Sequence, residues 1–471
     1  MFKLKSLLTL IALLCLPTFT VRSWAADRLN VIVILADDLG YGDLGCYGHP
    51  KFKTPHLDKM AAEGARLTQF NTAMAFCAPT RASLLTGRYP FRCGMNNNPA
   101  PDGGPNADAV ALPASEVLLP QLFKKAGYAT GMVGKWHLGH KQPEHLPTSR
   151  GFDEYLGILY SNDMRPVELV EGLKAIEYPV VQATLTRRYT DRAIKFVERH
   201  RTEPFFLYLA HVMPHKPLAT TEAYYKKSGV GLYGDVLMDL DAGIGELLAK
   251  LQELKLDENT LVLFTSDNGP WFGGSTGGLR GMKGSSYEGG YRVPCIARWP
   301  GKIPAGHVND APAVMMDLFA TVLAAAGLAA PGDRVIDGRD ILPLFTSKAK
   351  SPHAAIFGQQ GAQLAVVRNE RYKLHVLPPK DFFASLNKPG QRWIDARGPD
   401  GVTILAPHEQ YQPDAYPGTL SGDPAKAMQL FDVQSDPGEQ KDIAAGNPEV
   451  VQQLKSLFDE MNRAVAERQA K

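Results

Sequence analysis

A near-continuous run of β-forming residues at 29–36, LNVIVILA, constrains the fold more than any other feature of the chain. Such a run is typical of a strand that is buried on both faces of a parallel sheet. Comparable runs recur at residues 129–133, 204–210 and 261–265. Patterns typical of helices lie between them, at residues 118–126, 190–200 and 234–254. The alternation predicts an α/β fold in which a large mixed, mostly parallel sheet is sandwiched by helices.

Polar and ionisable side chains follow each of the four predicted strands. In chain order they are Asp37 and Asp38, Lys135 and His137, His211 and His215, and Asp267 and Asn268. Ligands of open α/β sheets bind just beyond the carboxyl ends of the strands. The sequence therefore predicts a functional site at one edge of the sheet.

The pattern of the chain changes at about residue 347. Residues 365–376 are typical of a β-hairpin with its turn near Asn369 and Glu370, and residues 450–468 have helical periodicity. A smaller C-terminal antiparallel sheet with a helix is therefore expected. The predicted organisation is a signal peptide at 1–25, a catalytic domain at 26–346 and an α+β domain at 347–471.

The N-terminus has the pattern of a cleaved signal peptide. Lys3 and Lys5 precede an apolar run at 7–16, and Ser23-Trp24-Ala25 forms a cleavage site of the small-x-small type. The run is about half of the roughly 20 residues that a spanning helix needs. Secretion or export to a periplasm is predicted, without stable membrane association. Cleavage would leave a nearly neutral chain, and nothing in its composition indicates binding to nucleic acid.

Cys77 begins the most specific motif, Cys77-Ala78-Pro79-Thr80-Arg81. Pro79 suits the first turn of a helix and Gly87 suits its end, so Cys77 is expected at a helix N-terminus, where anions bind. A capping cysteine without chemistry has the same local pattern, and the motif alone leaves both interpretations open. If Cys77 is used for chemistry, the remaining cysteines of the mature chain form at most one disulfide. Structural roles are expected for Cys46, Cys93, Cys295 and His211.

Several motifs together resemble the type I, formylglycine-dependent sulfatases of the alkaline phosphatase superfamily. Cys77-Ala78-Pro79-Thr80-Arg81 fits the family signature, with Thr80 at a position where Ser is commoner. The other motifs, in family order, are Ala36-Asp37-Asp38-Leu39-Gly40, Gly134-Lys135-Trp136-His137-Leu138-Gly139, Pro214-His215, Thr265-Ser266-Asp267-Asn268-Gly269 and Gly281-Met282-Lys283-Gly284. The resemblance covers residues 29–445 and is strongest to the arylsulfatase A and N-acetylgalactosamine-6-sulfatase branch.

The resemblance implies a cofactor, a modification and a set of site residues. A formylglycine-generating enzyme would oxidise Cys77 to 3-oxoalanine during maturation. One Ca²⁺ ion would be held by Asp37, Asp38, Cys77, Asp267 and Asn268. Oxygen ligands of this kind suit a hard cation. The implied catalytic residues are Cys77, Arg81, Lys135, His137, His215 and Lys283.

The mechanism that the resemblance implies uses the two hydroxyls of the hydrated aldehyde. One hydroxyl attacks sulfur, the alcohol leaves with a proton from His215 or Lys283, and a sulfate ester forms on residue 77. His137 then deprotonates the second hydroxyl, which expels sulfate.

Two rival functions and the substrate stay open at this point. A phosphonate monoester or phosphodiester hydrolase of the same superfamily would share the metal, and an inactive relative would bind sulfated glycans without turnover. Aryl sulfates and sulfated glycans are both candidate substrates. The segments 96–108 and 271–278 are expected to shape the pocket, where Trp271 and Phe272 could stack on a ring.

Overall fold

The computed structural model describes residues 28–99, 110–164, 167–382 and 416–469. The predicted signal peptide, most of the 96–108 segment and residues 383–415 lie outside this part of the chain. Its strands are β1 (Asn30–Ala36), β2 (Ala65–Leu67), β3 (Phe70–Asn71), β4 (Ala129–Lys135), β5 (Glu154–Ile158), β6 (Leu169–Glu171), β7 (Lys174–Glu177), β8 (Phe205–Ala210), β9 (Thr260–Ser266), β10 (Cys295–Arg298), β11 (His307–Asn309), β12 (Ala313–Val314), β13 (Ile356–Gln360), β14 (Gln363–Arg368), β15 (Tyr372–His375) and β16 (Gln429–Asp432).

Ten of these strands form one sheet, in the order β11-β2-β10-β9-β1-β8-β4-β5-β6-β7. The five central strands from β9 to β5 are parallel, and antiparallel pairs flank them on both sides. β1, β4, β8 and β9 confirm the four predicted strands. The prediction of a mixed, mostly parallel sheet is therefore confirmed.

The helices are α1 (Pro55–Glu63), α2 (Cys77–Thr86), α3 (Pro90–Cys93), α4 (Leu119–Lys125), α5 (Leu185–Arg199), α6 (Leu232–Glu253), α7 (Glu288–Tyr291), α8 (Asp317–Ala325), α9 (Leu342–Thr346) and α10 (Pro448–Gln469). None of the described helices is both long and apolar enough to cross a membrane.

Strand β1 shows why the sequence forms buried strands. Val31, Val33 and Leu35 belong to one hydrophobic core with residues of α2, α4 and α8. The alternate residues Ile32 and Ile34 belong to a second core with residues of α1, α5 and α6. Because side chains alternate across a strand, both faces of β1 need apolar residues, which produces the continuous run in the sequence.

A smaller antiparallel sheet, β13-β14-β15-β16, follows the large one. β14 and β15 confirm the predicted hairpin, and α10 packs against both of them. The hydrophobic cluster of this region also includes Tyr89, Phe91 and Met316 from the larger part of the chain. The small sheet is thus joined to the rest of the molecule by apolar contacts.

A buried charge network joins the same two parts of the molecule. Glu288 of α7 accepts a hydrogen bond from Arg368 of β14 at 2.7 Å and lies 3.1 Å from the Nζ of Lys373 of β15. Lys373 Nζ lies 3.0 Å from Glu439, which also pairs with His375 at 2.6 Å. All five side chains are at most 3% exposed. We call these five residues the interdomain charge network.

Candidate active site

The strand order brings the predicted polar residues to one edge of the sheet. β9, β1, β8 and β4 are neighbours, so the residues that follow them meet there. Asp38 and His137 both have left-handed backbone conformations, with φ of 64° and 59°, which turn the chain sharply just after β1 and β4. Gly134 lets β4 and β8 approach closely, since a Cβ there would lie 1.8 Å from the carbonyl oxygen of Ala210.

Cys77 is the first residue of α2, as the sequence predicts. Gly87 caps the other end of this helix with φ of 71°. The Cys77 side chain is 1% exposed, and its Sγ lies 3.5 Å from Asp37 Oδ1 and 3.4 Å from Lys283 Nζ. Burial raises the pKa of the thiol well above its usual value. The unmodified side chain is therefore a neutral thiol at neutral pH.

The side chains predicted as metal ligands are also brought together. Potential ligand atoms of Asp37, Asp38, Cys77 and His215 lie within 4.8 Å of one another. The backbone N–H of Asp38 donates to Asp267 Oδ1 at 3.1 Å, and the Asn268 amide donates to Asp38 Oδ1 at 2.7 Å.

A buried oxygen makes this group suitable for a metal ion. Asn268 Oδ1 has no hydrogen-bond partner among the described residues, and a buried oxygen of this kind normally has one. Burial and the nearby Asp267 raise the pKa of Asp37 to about 7, which shows that the carboxylates crowd one another. Because the donors are mainly oxygens, the group fits a hard divalent cation.

Three cationic side chains hold these carboxylates. Lys135 Nζ donates to Asp37 Oδ2 at 2.5 Å, and Lys283 Nζ lies 2.7 Å from Asp38 Oδ1. Burial raises the pKa of Asp267, but Arg81, Lys135 and Lys283 outweigh it and leave that pKa below its usual value. Asp267 therefore stays ionised in a fully buried position.

The two predicted catalytic histidines line the same cavity as Cys77. Burial lowers the pKa of both His137 and His215 well below the usual value, and neighbouring lysines lower it further. His137 Nε2 lies 3.3 Å from the carbonyl oxygen of Pro99, and His215 Nε2 lies 3.7 Å from Asp38 Oδ2. Both imidazoles are therefore neutral when the cavity holds no anion.

A cavity of about 130 Å³ lies above these groups. Its walls include Cys77, His137, His215 and Lys283, and also Trp271 from the segment that was expected to shape the pocket. The arrangement combines a buried cysteine at a helix N-terminus, crowded oxygen donors and cations around a small cavity. These are the elements required to bind and transfer a tetrahedral anion.

Comparison with known proteins identifies the family. A family model described as Sulfatase matches residues 29–328, more than half of the chain. The chain belongs to the sulfatase family. The resemblance predicted from the motifs is thereby confirmed, and the protein is an enzyme that hydrolyses sulfate esters.

Named relatives support the same assignment for this sulfatase. It is 37% identical to N-acetylgalactosamine-6-sulfatase of Canis lupus familiaris, over 91% of this chain and 84% of the relative. It is 36% identical to human arylsulfatase A, over 91% of this chain and 86% of the relative. The solved structure of Ps i-CgsB in complex with k-i-k-neocarrahexaose is similar with a TM-score of 0.74 and 28% identity, covering 92% of this chain and 93% of that one.

The residues that follow β5 also contact the site of the sulfatase, and they were not identified from the sequence. Ser161 follows β5, and its Oγ lies 3.0 Å from Lys135 Nζ and 3.4 Å from His215 Nε2. Asn162 Oδ1 lies 2.9 Å from His215 Nδ1. The polar triplet 161–163 is the signal that could have found them, because it follows a strand as the other site residues do.

The residues for which structural roles were expected lie away from this chemistry. Cys46, Cys93 and Cys295 are free thiols, so no disulfide links the cysteines of the described part of the sulfatase. His211 is buried, its ring lies 6.2 Å from that of Tyr189, and burial lowers its pKa to about 3. It is outside the set of residues that line the cavity.

Proposed function

We propose that this sulfatase removes sulfate from saccharides through residue 77, after Cys77 has been oxidised to formylglycine, and that it also accepts aryl sulfates. The observation that carries the proposal is the position of Cys77. Its Sγ lies at the first turn of α2, beside the oxygen of Asp37 and the ammonium of Lys283. A nucleophile there would meet a sulfate among helix amides and cations.

The metal proposed is a single Ca²⁺ ion held by Asp37, Asp38, Asp267, Asn268 and residue 77. The unpartnered Asn268 oxygen and the crowded carboxylates support this choice. When bound, the ion would withdraw electron density from the sulfate oxygens as a Lewis acid.

The side chains around the cavity would position residue 77 and transfer the protons. Arg81 and Lys135 fix the carboxylates and thereby position residue 77. Lys283, or His215 once a bound sulfate has favoured its protonated form, would bind the bridging oxygen and give a proton to the leaving alcohol. His137, held neutral by burial, would take the proton whose loss allows sulfate to leave residue 77.

Two observations support a saccharide substrate. One relative at 37% identity is named N-acetylgalactosamine-6-sulfatase, and Ps i-CgsB was solved with k-i-k-neocarrahexaose. In this chain the ring of Trp271 lines the cavity, where an indole can pack against a sugar.

Maturation and location are part of the proposal. The signal-peptide pattern of residues 1–25 supports export to a periplasm or secretion. Cys77 is only 1% exposed in the folded chain, so a formylglycine-generating enzyme would need to act before folding is complete.

A comparison of three substrate classes under one condition tests the proposal. The modified protein should hydrolyse p-nitrophenyl sulfate with a higher kcat/KM than a phosphate diester or a phosphonate monoester. A preference for either phosphorus ester would favour the rival hydrolase. Binding of sulfated sugar without turnover, with residue 77 still a thiol, would favour an inactive relative.

A further inference from the structure

The cavity has a second group of polar residues besides those that surround Cys77. Asp163 follows β5 and Lys216 follows β8, and both side chains line the cavity. Lys216 Nζ lies 3.1 Å from Asp163 Oδ2, and each side chain is only 6% exposed. We call these two residues the cavity ion pair.

Placing an ion pair in a cavity wall is energetically unfavourable unless the charges find good partners. Removing a carboxylate and an ammonium from water costs desolvation free energy, and the attraction between them offsets it only when their geometry is good. A pair at the surface stays hydrated and avoids this cost. Asp163 and Lys216 belong to loops that already meet through neighbouring contacts, including Asn162 with His215. A polar ligand in the cavity would account for charges at this position.

An aromatic ring lies next to the cavity ion pair. Lys216 Nζ is 5.2 Å from the centroid of the Trp271 ring. Trp271 in turn packs edge-on against Phe272 at 5.1 Å, within a small hydrophobic cluster that includes Met282. The indole is therefore held in place by apolar neighbours on one side of the cavity.

We infer that Asp163, Lys216 and Trp271 recognise the uncharged, hydroxyl-rich sugar ring that bears the scissile sulfate. This inference rests on the proposed function and adds its substrate specificity. A sugar hydroxyl is both a donor and an acceptor. One hydroxyl donates to the Asp163 carboxylate, its neighbour accepts from the Lys216 ammonium, and the ring packs beside Trp271.

The charges of the cavity ion pair also predict which substrates are disfavoured. The two charges cancel, so the cavity ion pair offers no excess positive charge to a second sulfate or a carboxylate on the ring. An aryl sulfate brings no hydroxyl and leaves the pair without its ligand hydrogen bonds. Loss of a hydrogen bond to a charged group in a site of this kind lowers binding of the transition state by about tenfold.

The test removes the hydroxyl from the substrate and the charges from the protein. Galactose with sulfate on O3, O4 or O6 is compared with p-nitrophenyl sulfate, and the best galactose ester is measured again without the hydroxyl nearest the ester. In the unaltered enzyme, kcat/KM should fall about tenfold on this deletion. In the double variant Asp163→Asn with Lys216→Met, which removes both charges of the cavity ion pair together, kcat/KM should fall less than about twofold on the same deletion.

Two further variants serve as controls. Lys216→Arg keeps the charge and should retain discrimination against the deoxy ester. The double variant Arg88→Met with Glu116→Gln removes another buried pair, 2.8 Å apart and outside the cavity, and should also retain it.

The outcomes distinguish failure of this inference from failure of the proposed function. Equal kcat/KM values for the parent and deoxy esters in the unaltered enzyme overturn the inference, whether or not the double variant folds. Full discrimination in the folded double variant also overturns it. Turnover of p-nitrophenyl sulfate without turnover of any galactose ester rejects the inference but leaves the proposed chemistry at residue 77 standing. Failure of the modified protein on every sulfate ester rejects the proposed function itself.

Discussion

Arg81 donates two hydrogen bonds to a single carboxylate oxygen of Asp267, from Nε at 3.0 Å and from Nη2 at 2.8 Å. Both side chains are fully buried. The other Asp267 oxygen accepts the backbone N–H of Asp38, and Arg81 Nη1 donates to the carbonyl oxygen of Lys135. One guanidinium thus connects the helix that carries Cys77 with the ends of two central strands.

Replacing Asp267 by Ala should abolish turnover and also destabilise the fold. The change removes one of the two carboxylates that pair with the buried Arg81 guanidinium and leaves Asp37 at 3.4 Å. Breaking a buried ion pair costs up to about 3–5 kcal/mol. Urea unfolding and hydrolysis of p-nitrophenyl sulfate measure the two effects. Glu116→Ala, which removes the partner of Arg88, is the matched control and should leave activity in place. An active, equally stable Asp267→Ala protein would contradict the assignment of this residue.

Removal of the metal should inactivate the enzyme reversibly. A chelator is expected to abolish turnover of p-nitrophenyl sulfate, and added calcium should restore it, because Asp37, Asp38, Asp267 and Asn268 provide mainly oxygen ligands. Calcium should also raise the melting temperature of the chelated protein, since a ligand that binds the folded state stabilises it. Full activity in metal-free protein would reject the calcium site.

Residue 77 should carry an aldehyde in the active protein. Mass spectrometry of the peptide that contains Cys77 is expected to show formylglycine, and that peptide should react with hydrazides. Cys77→Ala should be folded and inactive. Cys77→Ser should accumulate a stable sulfate ester, because a single hydroxyl can attack sulfur but has no second hydroxyl to expel the product. An active enzyme with a free thiol at residue 77 would refute the proposed chemistry.

Acid should weaken the interdomain charge network. Burial raises the pKa of Glu288, but Arg368, Lys373 and Arg292 outweigh it and hold that pKa at about 2, below the ordinary 4.5. A carboxylate with a lowered pKa stabilises the fold above pH 4.5, and this contribution is lost as the pH falls toward 2. The shift corresponds to about 3 kcal/mol.

The matching experiment compares Glu288→Gln with the unaltered protein by urea unfolding at several pH values. The variant should be less stable near neutral pH, and its stability should decline less between about pH 4.5 and pH 2. Burial also lowers the pKa of His375 below 6.5. Protonation of His375 therefore destabilises both proteins as the pH falls below 6.5. Parallel pH profiles below pH 4.5 would show that Glu288 is not the responsible group.

The central strands could be predicted because burial on both faces leaves a local signal. β1, β4, β8 and β9 each need apolar residues on two sides, and the polar residues that follow them come to one edge by topology. Strand β5, EYLGI, is short and begins with a partly exposed glutamate, so the same signal is weak there. β6 pairs antiparallel with β5, and β7 pairs antiparallel with β6 at the edge of the sheet. Because β7 is mostly exposed, it lacks the apolar pattern of a buried strand.

Long-range pairings left no signal in the sequence. Arg81 and Asp267 are 186 positions apart, and their contact depends on the packing of α2 against the end of β9. The motifs predicted that both residues belong to the site, but they did not predict that Arg81 donates two hydrogen bonds to Asp267. The same holds for Asp163 and Lys216, whose loops meet because β5 and β8 lie on the two sides of β4 in the sheet.

The interdomain charge network limits how freely the parts of this enzyme can be exchanged. Glu288 belongs to the segment that matches the family model, whereas Arg368, Lys373, His375 and Glu439 lie beyond its end at residue 328. A chimera that joins the first part of this chain to the C-terminal part of a relative would keep Arg292 near Glu288 but would lose Arg368 and Lys373 unless those residues were transplanted as well. The C-terminal sheet therefore cannot be exchanged independently of the larger part of the chain, because the two parts share one buried set of charges.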